Sequence, residues 1–179
     1  MNRSEPDRIC ACYDILCLAL ERLEHDIHKG ATRPPSDLAF LTSGEISERF
    51  VAWRRELEMQ VTLTLVASFE GVLQVDFQRR TNRREGHGPV DRRFREVLPD
   101  ELKSSDRPWV RDVLRLWLRF PLPKEGPVRR FLMFLDLRNW LAHGRYSPQP
   151  SSPSPSPHGA YAAGSELIGL LEQTVKSLR

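Results

Sequence analysis

At 179 residues the chain is long enough for one well-filled core and too short for two comfortable domains. Its net charge is +3, and 23 of its 27 basic residues are arginine, the planar donor that pairs bidentately with phosphate, so nucleic acid is a reasonable partner, although a GC-rich genome would favour arginine codons whatever the function. No apolar run approaches the ~18 to 20 residues of a membrane span, the polar start Met1 to Asp7 does not read as a signal peptide, and three cysteines are an odd count for a disulfide scaffold; a cytoplasmic, reducing setting is expected.

Ser4 and Asp7 form a capping-box pattern with Pro6 in the first turn, so a helix should begin there. Ile9, Tyr13, Leu16, Leu20, Leu23 and Ile27 then recur in steps of four and three, an apolar stripe that needs a neighbour, and Gly30 with Pro34 and Pro35 ends it. Cys10 and Cys17 on this helix stand two turns, ~10 Å, apart, too far to share one tetrahedral ion with His25 or His28. No metal or cofactor is expected. After a connector from about Ala31 to Gly44, the same rhythm runs from Ile46 to near Arg80, which predicts a helix of ~35 residues, ~50 Å long. Between Met59 and Phe77 it is apolar on nearly every face, as the central helix of a bundle would be. Glu70 is the awkward residue there: a buried carboxylate is costly without a cation, and either Arg138 or another cation partners it or it shares a solvent edge with Gln74 and Asp76.

From Gln78 to Arg95 arginines crowd together, with Arg79, Arg80, Arg83 and Arg84 leading into Gly86, Gly88 and Pro89. This reads as a basic loop followed by a short helix. It would hold an RNA backbone, or it is simply a solvated connection; with Phe94 the lone aromatic among the arginines, no base-stacking platform is indicated. Asp106 can cap the next helix, with Trp109, Val113, Leu116, Trp117 and Phe120 on its buried face. Another helix is predicted from about Pro127 to His143. The Ser-Pro alternation from Pro148 to Pro157 should be an extended linker, and Ser165 should cap a last helix. The expected organisation is a helical domain over residues 1–146, a linker over 147–163 and a C-terminal helix over 164–179 packing on the same domain.

The helix ending at His143 carries the chain's most distinctive cluster, Arg138-Asn139 with His143 four positions after Asn139. Phe131, Phe134, Leu135 and Leu141 recur at helical spacing, so Arg138 rides on a buried helix, while Gly144 and Pro148 stop it and leave His143 in the last turn. An Arg followed five positions later by a His is expected about 0.6 times by chance in this composition, but requiring Asn after the Arg lowers this to about 0.01. The cluster resembles the active-site signature of the HEPN superfamily, small all-helical proteins that include many metal-independent RNases. That resemblance implies an all-α, HEPN-like bundle of four to five main helices with a long central helix. It also implies a homodimer with the active site at the interface and, for the toxins of the family, a neutralising antitoxin partner. Some of those toxins carry a Tyr two residues after the His; here that position is Arg145 and the Tyr follows at Tyr146.

RNA can be cut without a metal because its 2′-hydroxyl can attack the adjacent phosphate. His143 is suited to the proton transfers and Arg138 to the developing charge, while Asn139, one turn before His143, can orient the imidazole or the substrate. Arg145, Tyr146, Arg79, Arg80, Arg83 and Arg84 are the expected RNA-binding residues and Glu70 a supporting one. Arg138 and His143 are ~140° apart round an ideal helix, so one copy does not bring them together, whereas two copies about a twofold axis would. The expected function is a metal-independent endoribonuclease with a toxin or defence role. The competing reading is a catalytically inactive HEPN-like module that binds RNA, nucleotide or protein, in which Arg138 and Asn139 only tie down a helix end.

Overall fold

A computed structural model describes residues 4–82, 88–99, 108–120, 122–143, 148 and 153–177. Among them there are six helices and no strand: α1 (Glu5–His28), α2 (Ser43–Thr81), α3 (Pro89–Glu96), α4 (Val110–Trp117), α5 (Gly126–Ala142) and α6 (Pro157–Ser177). None is long and apolar enough to cross a membrane. The fold is all-α, as expected.

Two capping boxes start the long helices. Ser4 and Asp7 exchange side-chain and backbone hydrogen bonds at the head of α1, and Thr42 and Glu45 do the same for α2, so that α2 begins three residues before Ile46. Gly30, at φ +68°, takes the left-handed conformation that lets the chain leave α1. The 39 residues of α2, about 58 Å of helix, form the axis of the molecule, and every other helix packs on it. Its inward stripe is Met59, Leu65, Val66, Phe69, Leu73 and Phe77. Against this lie Phe94 of α3, Val113, Leu114 and Trp117 of α4, Val128, Phe131 and Leu135 of α5, and Leu167 and Leu171 of α6. A second, smaller cluster of Ile27, Leu38, Ile46 and Phe50 closes the far end of the α1–α2 hairpin.

Several expectations change at this level. Leu16, expected in the buried stripe of α1, is 41% exposed, and Ile15 and Leu18 are more so, whereas Tyr13 and Ile27 are buried. Trp109 precedes α4 as its N-cap residue and stands 78% exposed instead of lying on the buried face. The last helix starts at Pro157, eight residues before Ser165, inside the stretch read as linker. The reason is local. Ser156 accepts a hydrogen bond from Gly159 N at its hydroxyl (3.1 Å) and one from Ala160 N at its carbonyl (2.9 Å), and Pro157 occupies the first turn, where its missing N–H costs nothing. The early turns are then held by packing. Ala160 and Ala163 are fully buried, and Gly164 lies so close to α2 that a β-carbon there would sit 2.3 Å from the Phe69 ring. These small residues are what lets α6 approach α2.

Candidate functional site

The C-terminal half of α5 is fixed by its buried face, with Phe131, Phe134, Leu135, Leu137 and Leu141 all inside and Trp140 half-buried against the same core. Arg138 therefore has a defined direction, and it points at α2. Its Nε lies 2.9 Å from Glu70 Oε2, an ion pair in which the two side chains are 29% and 21% exposed. The Nε–H is not aimed well enough to make a hydrogen bond, so the attraction is mainly coulombic. Nη1 of Arg138 donates to Asn139 Oδ1 at 3.0 Å. The carboxylate expected to need a cation thus has Arg138, across 68 positions of sequence, while Gln74 donates to the Pro108 carbonyl and Asp76 is engaged by Arg80.

His143 is the C-cap of α5, at φ −93° and ψ 19°, with its backbone N–H bonded to the Asn139 carbonyl. Its side chain is exposed and, among the described residues, makes no hydrogen bond or ion pair. Asn139 is directed to Arg138 and not to the imidazole. One helix end therefore presents two different groups: a guanidinium anchored sideways on α2 and, at the tip, an exposed imidazole without a partner among the described residues. Nothing among the described contacts joins them, in keeping with their separation round the helix.

The expected RNA-binding arginines divide. Arg79 is exposed and lies 3.5 Å from Asp76 at the rim of a cleft between α2 and α6, near Glu172 and Lys176. Arg80 is not a solvated loop residue. It is 4% exposed, reaches Asp76 through two nitrogens at 2.7 Å and Asp91 through a third at 2.9 Å, and lies over the Trp117 ring, 5.1 Å from its centre. The spacing Asp76 to Arg80, one helical turn, was visible in the sequence; the return of Asp91 was not. Arg83, Arg84, Arg145, Tyr146, Gly144 and Asp106 lie outside the described residues. Phe94 is wholly buried and stacks on Phe120, so it offers no face to a base.

Burial pushes the Glu70 carboxyl up from its ordinary value near 4.5, and the Arg138 charge offsets only part of that. The folded protein therefore holds this proton more tightly than the unfolded chain does. Glu70's contribution to stability is largest below its unfolded value and declines as pH rises through the raised folded one. Relative to Glu70→Gln, wild type should lose stability in urea unfolding as pH rises from the ordinary carboxyl value through the raised folded one; a pH-independent difference would mean that the carboxyl is not desolvated. Arg138→Ala leaves the carboxylate without its cation and should cost about 1–3 kcal/mol at neutral pH, most of it recovered by adding Glu70→Gln.

Comparisons with protein-family models, with characterised proteins and with solved structures return no match. The chemistry is accordingly read from this chain's own groups: an anchored cation, an amide bonded to it, and a solvent-facing imidazole on one rigid helix.

Proposed function

We infer that the protein is a metal-independent endoribonuclease of HEPN type, cutting RNA by attack of a 2′-hydroxyl on the neighbouring phosphate. The observation that carries this reading is the contrast at the end of α5: Arg138 is held from behind by Glu70, while His143, five residues on, is exposed, with its imidazole unengaged among the described residues. An anchored guanidinium does not have to be ordered when charge develops on the phosphate, and a free imidazole can give and take protons. The active unit is a homodimer in which the Arg138 of one chain and the His143 of its partner act on one phosphate. The exposed pair Ile15 and Leu18, three residues apart on the outer side of α1, supports a covered surface on that helix. A toxin or defence role, with a neutralising partner, goes with the family resemblance.

The test is incubation of the purified protein with RNA in EDTA, with a melting curve recorded in the same buffer so that unfolding is not mistaken for lost chemistry. Cleavage leaving 2′,3′-cyclic phosphate ends is expected. Cleavage abolished by chelation in a protein that stays folded, or equal cutting of DNA, would exclude the mechanism. A second reading, an inactive RNA-binding module, is favoured by one observation: both contacts of Arg138, to Glu70 and to Asn139, are the kind that merely secure a helix. Binding of RNA without any cutting would establish it.

A further inference from the structure

A second group of reactive side chains lies away from α5, where α1 meets the start of α6. Cys10 and Asp14 stand four apart on α1, so they project from one face a single turn from each other. His158, the second residue of α6, reaches this face from the other side, its Nε2 3.0 Å from Asp14 Oδ1. The Tyr13 ring meets the imidazole edge-on at 5.6 Å between centres and fixes its orientation. The thiol, the carboxylate oxygen and the imidazole nitrogen all lie within 4.8 Å of one another.

We propose that Cys10, Asp14 and His158 form a divalent metal site of zinc type that pins α1 to α6 and leaves a fourth position for water. Metal–sulfur distances of about 2.3 Å and metal–nitrogen or –oxygen distances of about 2.0–2.1 Å place tetrahedral ligands about 3.3–3.8 Å apart. To reach that geometry the imidazole nitrogen and the carboxylate oxygen, 3.0 Å apart, would open by about 0.3 Å, and the sulfur would close on them by about 1.3 Å at most. One thiolate, one imidazole and one carboxylate favour zinc over magnesium or calcium, which take all-oxygen shells. Asp7, whose carboxylate accepts a 2.6 Å hydrogen bond from Tyr161 of α6, adds negative charge beside Cys10, which favours a cation there. On metal binding the thiol gives up its proton and the sulfur–metal bond replaces it. The two halves of the site are 144 residues apart in the chain, so an ion would fasten the first helix to the last.

Metal-free, reduced full-length protein would be titrated with cobalt(II) and then with zinc(II). The expected result is a thiolate-to-cobalt charge-transfer absorption saturating at a single equivalent, displaced by zinc, with a rise in melting temperature on zinc addition. Cys10→Ser should abolish the absorption, Asp14→Asn and His158→Gln should weaken binding about tenfold or more, and Cys12→Ser and Cys17→Ser should leave it intact. Circular dichroism checks that each variant is folded, and the exposed Asp14 and His158 provide two changes that do not disturb the core. No charge-transfer absorption, absorption that survives Cys10→Ser, or binding indifferent to both Asp14→Asn and His158→Gln would each overturn the proposal and leave Asp14 and His158 as a surface ion pair.

Discussion

His143→Ala is expected to reduce RNA cleavage by about 10²–10⁴-fold, the usual worth of a positioned general acid or base, while leaving the melting temperature within error of wild type. The separation of the two effects follows from where the residue is. Its imidazole is exposed at the end of α5 and, among the described residues, supports no hydrogen bond or ion pair, so removing it leaves the packing of Phe134, Leu137 and Leu141 untouched. Arg138→Ala should also be inactive but, unlike His143→Ala, less stable, and restoring stability with Glu70→Gln should not restore cleavage. Dissociating and remixing equal amounts of the two inactive single variants then tests the dimer. If Arg138 and His143 act across an interface, half the dimers are mixed and each regains one complete site, so about a quarter of wild-type activity should return. No recovery from mixed dimers would confine both roles to one chain; full cleavage by His143→Ala would remove that residue from the chemistry.

Arg80→Ala should be among the most damaging substitutions for the fold, at about 3–5 kcal/mol, or on the order of 10 °C in melting temperature. The guanidinium neutralises Asp76 and Asp91 together and fills the space over Trp117, and its loss leaves two carboxylates facing each other beside an aromatic cavity. Lysine cannot substitute, because one ammonium cannot meet two carboxylates with the same planar fork. Arg79→Ala, one residue earlier and exposed, should change stability by no more than about 0.5 kcal/mol. It should instead lower the salt dependence of RNA binding if the basic end of α2 contacts phosphates. Thermal unfolding and salt titrations of the two variants separate a structural arginine from a phosphate-binding one. An Arg80→Ala protein as stable as wild type would mean that the buried network contributes nothing net.

What the sequence determined by itself is everything that depends on neighbours within a turn or two. The capping box at Ser4, the stop at Gly30, the length and central place of α2, and the inward face of Phe131, Phe134, Leu135 and Leu141 are all consequences of local hydrogen bonding and a 3.6-residue period. So is the candidate site in outline, since Arg138, Asn139 and His143 belong to one helix end. Glu70 could be singled out because an acid in an apolar run must find a partner, yet only packing brought α5 beside α2 and made that partner Arg138. The tertiary structure alone decided that Arg80 is buried and Trp109 is not. It also decided that α6 begins at Pro157, and that His158 meets Asp14. Periodicity specifies which side of a helix must be covered, but not what covers it. A Gly-Ala surface such as that of Ala160, Ala163 and Gly164 carries little apolar periodicity of its own and acquires its value only when the Phe69 ring of another helix packs against Gly164.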